Sequence, residues 1–322
     1  MKTLGAIALL LATSVSLTAQ SRNLVKKNQI DSGVPYNGPR NFALPTACDE
    51  QGRLYVKLVD PNQAEMVGPI YRLSSNGGLE ATFDTSGELM NRYAVRPDGG
   101  MAMVRLDGKT NVIDNFAPDG SRQSSLRLED PSTAFFPDQM AVFRSGEVLL
   151  SGMQYRRGNT AWTAIYDPAG HLVKEFVLDG DEEVERPAVS RSAAVRGDDG
   201  FVYLMRATSP ARVYVISSTG EVARQITVES PEGGTPDFGI RVFKNHMVIR
   251  FRLNCLSAGT GTHCDGTEYR VLDATTGKQL AIYRTDNAAS GPIACYRPNP
   301  DRFQMFSMPT AGKLEIIEAE PQ

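Results

Sequence analysis

Short runs of alternating apolar and polar residues recur along the chain, each opening on a tight turn. Examples are Asp49-Glu50-Gln51-Gly52-Arg53-Leu54-Tyr55-Val56, Pro97-Asp98-Gly99-Gly100-Met101-Ala102-Met103, Arg144-Ser145-Gly146-Glu147-Val148-Leu149-Leu150 and Asp198-Asp199-Gly200-Phe201-Val202-Tyr203-Leu204. Two looser copies follow, at Lys244–Ile249 and Pro300–Met305. The apolar residue anchoring each run falls at Leu54, Met101, Val148, Val202, Met247 and Phe303, so the spacing is 45 to 56 residues. A second turn sits inside most units, as at Ser75-Asn76-Gly77-Gly78, Pro118-Asp119-Gly120, Asp167-Pro168-Ala169-Gly170, Ser218-Thr219-Gly220 and Ala274-Thr275-Thr276-Gly277. Glycine supplies the positive φ that a tight hairpin needs, and period-two alternation marks a half-buried strand. Helical periodicity is almost absent.

Each repeat therefore predicts four short antiparallel strands, and a four-stranded unit recurring at this interval is the pattern of a propeller blade. The C-terminal unit shows only three strands, about Ile293–Tyr296, Arg302–Met308 and Lys313–Ala319. The segment Asn23–Ile30 would supply the fourth, pairing the two ends of the chain and removing the last open edge. The expected fold is all-β, a six-bladed β-propeller closed by an N-terminal strand that completes the last blade, in one domain over residues 21–322. Five or seven units and a two-sheet sandwich are the alternatives.

The first residues change the picture. Lys2, the apolar stretch Leu4–Ala12 and the small or polar residues up to Gln20 read as a secretory signal peptide over residues 1–20. At nine residues the apolar stretch is too short to span a bilayer, which takes about 20. The expected location is therefore periplasmic or extracellular, with no integral membrane segment. With 34 basic and 37 acidic residues, the chain has no global field favouring nucleic acid. In an oxidising compartment Cys48, Cys255, Cys264 and Cys295 read as disulfides, in one of three connectivities. Cys48 and Cys295 hold matching places in the first and last units, so their bond would lock the seam. Cys255 and Cys264 bracket a short loop.

The Gly-turn strand units over about residues 23 to 319, the leader and the N-to-C closure resemble secreted six-bladed propellers of the TolB-like and NHL-like type. The resemblance implies a fold with a central channel and leaves the chemistry open. Related lactonases hold a metal in the channel with Glu, Asn and Asp from the inner strands. Here those strands read as Ala94-Val95, Ala141-Val142 and Ala193-Ala194-Val195, with Asp49, Glu50 and Arg241 as nearby charges. No metal site and no cofactor is expected, and no serine-triad elbow or phosphate loop is present.

Long connections should gather on the face opposite the short turns, and loops on a rigid scaffold commonly carry function. Tyr155, Arg156 and Arg157 on one such loop would suit a carboxylate or phosphate, because Arg offers a planar fork of donors. Arg105 and Arg206, each six residues past its turn glycine, would form a basic rim at the channel mouth. Asp179–Glu183 is acidic but lacks a calcium-loop pattern. The reading is a binding or interaction module for a protein, peptide or glycan through the long-loop face. The alternative is a metal-dependent lactonase, lyase or hydrolase at the channel.

Overall fold

The computed structural model describes residues 21–34, 41–59, 68–85, 92–154, 160–258, 261–285, 291–308 and 314–322. The expected leader lies outside these, as do Tyr155, Arg156 and Arg157. Strand β1 (Ser21–Asp31) comes first and belongs to the last sheet. Four separate four-stranded sheets follow in chain order. They hold β2 (Asn41–Cys48), β3 (Leu54–Val59), β4 (Ile70–Leu73) and β5 (Leu79–Phe83); then β6 (Arg92–Val95), β7 (Met101–Asp107), β8 (Thr110–Phe116) and β9 (Arg122–Arg127). The third holds β10 (Phe135–Val142), β11 (Val148–Gln154), β12 (Ala161–Tyr166) and β13 (Leu172–Phe176). The fourth holds β14 (Ala193–Arg196), β15 (Val202–Arg206), β16 (Ala211–Ile216) and β17 (Val222–Val228). Next come β18 (Gly234–Phe243), β19 (His246–Leu253), the two-stranded ribbon β20 (Leu256–Ala258) and β21 (Gly261–His263), β22 (Gly266–Asp273) and β23 (Gln279–Thr285). The chain ends on β24 (Ile293–Arg297), β25 (Arg302–Ser307) and β26 (Glu315–Pro321).

Why the middle strands read as unbroken apolar runs is visible in β16. Val213 and Val215 pack with Ile240, Met247 and Phe251 of the following sheet. Tyr214 and Ile216 pack with Phe143, Leu149 and Ile165 of the preceding one. Both faces of the strand are core, so alternation gives way to continuous apolar sequence. Outermost strands such as β9, mostly exposed, keep polar residues. The sheets also approach through their turns: a Cβ on Gly120, at φ +93°, would stand 2.2 Å from the Thr82 carbonyl oxygen of the neighbouring sheet.

β2, β6, β10, β14, β18 and β24 open their antiparallel runs and neighbour one another around an axis, with β24 returning beside β2. This radial arrangement of sheets is a β-propeller. The repeat predicts six separate units, whereas the structure has four separate sheets and one eight-stranded sheet, ordered β18-β19-β22-β23-β1-β26-β25-β24. The reason lies in β1. Its first residues, Ser21–Asn23, pair parallel with Ile282–Arg284 of β23, and from Leu24 to Asp31 it pairs antiparallel with β26. An eleven-residue strand between two open edges satisfies both.

The seam between β24 and β2 carries further ties. Cys48 is bonded to Cys295, and Cys255 to Cys264 closes the β20–β21 ribbon. Thr46 Oγ1 donates to the Ile293 carbonyl at 2.8 Å. Among the described residues no helix is long and apolar enough to cross a membrane.

Candidate functional site: an axial funnel lined by arginines

The C-terminal halves of the six run-opening strands enclose a funnel with about 100 Å3 of room for solvent. It opens on the short-turn side, because its lining continues from the strands into the turn residues Asp49, Glu50 and Asp198. Long connections lie at the other ends of these strands, and 60–67, 155–159 and 286–290 among them fall outside the described residues. The funnel wall is made of Ala47, Ala94, Val95, Ala141, Val142 and Val195 and their like, as the inner-strand sequences suggest.

Three guanidiniums break this apolar wall. Arg241, 6% exposed on β18, points its head at the seam. Its Nε donates to the Ala294 carbonyl at 2.9 Å, its Nη1 to the Ile240 carbonyl, and its Nη2 to Thr46 Oγ1 at 2.9 Å and to the carbonyls of Thr46 and Ile293. Burial pushes the guanidinium down to about 10, and no carboxylate offsets it. Arg196, at the end of β14, reaches across the axis, its Nη1 donating to the Val95 carbonyl at 3.1 Å and the Val142 carbonyl at 3.2 Å. Arg297, at the end of β24, donates from Nη2 to the carbonyls of Asp49 and Glu50 at 3.1 and 3.2 Å, and its head stacks 4.2 Å from the Phe243 ring centroid. Burial lowers the pKa of both.

Rim carboxylates are engaged elsewhere. Asp49 accepts from Arg53 Nε at 2.6 Å and from the Tyr55 hydroxyl at 3.1 Å. Glu50 accepts from Arg144 Nη2 at 2.6 Å. Asp198 accepts the Lys244 backbone N–H at 2.8 Å. Among the described residues no group of three or more His, Cys, Asp or Glu is placed to hold a metal ion. The donor set of this funnel, cationic and amide-carbonyl, does not fit the carboxylate-rich divalent site of the resembling lactonases.

Sequence-predicted residues fall elsewhere. Arg206 is fully buried, its Nε and Nη2 both 2.8 Å from the Asp181 carboxylate and its Nη2 2.9 Å from Ser151 Oγ. This fork ties β15 to the connection between the third and fourth sheets and presents nothing to solvent. The same pair accounts for the acidic stretch Asp179–Glu183, whose Asp181 is fully buried. Arg105 donates from Nε to Asp114 at 2.8 Å within its own sheet. Neither arginine lines the short-turn funnel. In sequence, Arg196 and Arg297 look like any solvated charge that ends a strand. The signal available was the repeat itself: Arg196 pairs with Val202 where Cys48, Val95 and Val142 pair with Leu54, Met101 and Val148.

No protein-family model and no curated protein matches the chain. Solved structures do. A putative gluconolactonase is similar at TM-score 0.52 and 13% identity, over 94% of this chain and 93% of that one. A protein of unknown function from Dyadobacter fermentans is similar at TM-score 0.52 and 11% identity, over 93% of this chain and 100% of that one. The Dos1 propeller gives TM-score 0.45 and 10% identity, over 83% and 75%. Identities this low speak for architecture alone, and it is the radial arrangement of the sheets that makes it a β-propeller.

Proposed function

We propose that this chain is an exported, six-bladed β-propeller of the TolB-like and NHL-like type that acts as a binding module for a protein, peptide or glycan. The signal-like residues 1–20 and two disulfides support export. Six blades follow if the eight-stranded sheet is divided at its short parallel β23–β1 pairing, which leaves two antiparallel runs of four. Residues 21–322 then form one domain.

The observation carrying the binding reading is the funnel's donor set. Hydrolysis at the channel needs a nucleophile or a polarising cation, and the lining offers arginines held by main-chain carbonyls on apolar walls. Such a surface recognises by charge and shape. The test is a panel of lactones, esters and glycosides with and without added Ca²⁺, Mg²⁺ or Zn²⁺, alongside metal analysis of the purified protein. No turnover and no stoichiometric metal is expected. Metal-dependent turnover would overturn the reading in favour of a lactonase, lyase or hydrolase.

A further inference from the structure

Several arginines elsewhere in this protein are neutralised at contact distance. Arg105, Arg144, Arg206 and Arg250 each have a carboxylate oxygen at 3.0 Å or closer. The three funnel arginines do not. Among the described residues Arg196, Arg241 and Arg297 have no ion pair, although Asp49, Glu50 and Asp198 stand on the same rim. Leaving cations unpaired in an apolar recess is costly, and proteins keep such groups where a ligand of opposite charge completes them.

The unused donors define what that ligand offers. Arg196 spends only Nη1 on the Val95 and Val142 carbonyls, so its Nε and Nη2 have no acceptor among the described residues. Arg297 spends only Nη2, and its Nε and Nη1 are likewise open. Arg196 therefore keeps the Nε–H and Nη2–H pair on one edge, a fork that matches the two oxygens of a carboxylate, whereas Arg297 keeps N–H groups on Nε and Nη1 that point to different edges, each able to give one bond. The bonds already made fix each guanidinium in place, and stacking on Phe243 holds the plane of Arg297. Behind them the wall is Ala47, Val95, Val142, Val195 and Val242, which suits a short aliphatic stem. The free volume, about 100 Å3, suits a ligand group of a few heavy atoms.

We infer that the short-turn funnel is a carboxylate site, in which Arg196 and Arg297 grip the two oxygens of an acid whose small aliphatic stem lies on the alanine and valine wall. Arg241 stands below as a fixed positive charge. This rests on the binding reading and adds a carboxylic acid to the protein, peptide or glycan named there. The ligand is either a small free acid or the C-terminal carboxylate of a partner peptide ending in a small apolar residue.

Titration calorimetry with the full mature chain decides the matter. Sodium butyrate is the first probe, and butyramide, of the same shape without the charge, is its control. Butyrate is expected to saturate one site, to weaken as salt rises, and to bind at least tenfold better than butyramide. Arg196→Met and Arg297→Met should each weaken it at least tenfold, and the lysine replacements should recover only part. Trialanine against its C-terminal amide separates the sources: binding tighter than butyrate assigns a peptide end, weaker binding a free acid. Should Arg297→Met fail to fold, Arg196→Met and the butyramide comparison still decide. Non-saturating heats, equal binding of butyramide, or butyrate affinity unchanged in folded Arg196→Met would overturn the inference. Turnover of a lactone would sink the binding reading yet leave butyrate in the funnel, so the two failures are distinguishable.

Discussion

Replacing Lys57 with methionine should stabilise the protein most at low pH and least at high pH. Lys57 lies on β3 and is 1% exposed. Its amine reaches one described partner, Thr85 Oγ1 at 3.5 Å, and Thr85 in turn donates to the Gly68 carbonyl at 2.6 Å. Burial, and then the nearby Arg92 charge, push the amine down to about 7. An unfolded lysine titrates near 10.4. Between those values the unfolded chain carries a proton that the folded chain has given up, so stability rises with pH across this window at about 1.4 kcal/mol per unit. Below pH 7 both states are charged, and the full cost of burying the cation is present. From pH 7.5 to 9.0 the wild type should therefore gain about 2 kcal/mol relative to Lys57→Met. Urea unfolding of the two proteins at four or five pH values in that interval measures the difference directly. Parallel curves would refute the reasoning and mean that the folded amine keeps its proton.

The remaining expectations concern the seam and the buried ion pair. By chain entropy the Cys48–Cys295 bond, spanning 247 residues, contributes about 5.5 kcal/mol, and Cys255–Cys264, spanning nine, about 2.6 kcal/mol. Urea midpoints of Cys48→Ala/Cys295→Ala and Cys255→Ala/Cys264→Ala should fall in that order, and a reversal would exclude the entropic account. Arg241→Met strips donors from carbonyls on β2 and β24 and should cost about 3 kcal/mol by the same assay, with sheet content retained by circular dichroism. Arg206→Leu leaves the Asp181 carboxylate buried and uncompensated, at about 3–5 kcal/mol. Adding Asp181→Leu should return a substantial part of that loss, and an additive double mutant would show that the pair is not coupled.

Much of the architecture was legible because it is periodic. Turn glycines and anchors such as Leu54, Met101, Val148 and Val202 recur at a fixed place in each run, and the matching places of Cys48 and Cys295 pointed to their bond. The continuity of the last sheet was not legible, since nothing in Ser21-Arg22-Asn23 says which of two adjacent edges it will join. Of the site, the alanine and valine wall could be read, because small apolar residues at strand ends have few other uses. The arginines could not be sorted: Arg206 ends buried against Asp181 and Arg196 ends in the funnel, while both look alike in a strand-end sequence. The difference lies in which distant segment arrives opposite them, and only the closed ring determines that.

The two ends of the described chain lie against each other: Leu24 pairs with Pro321, and the Gln322 N–H donates to the Asn23 carbonyl at 3.0 Å. A few linker residues would splice Gln322 to Ser21, and new termini could then be cut at Gly108, a hairpin tip where a Cβ would meet nothing within 4 Å. Such a circularly permuted molecule would keep every sheet while moving its ends to the second sheet, so a fused reporter or tether could be placed at either position.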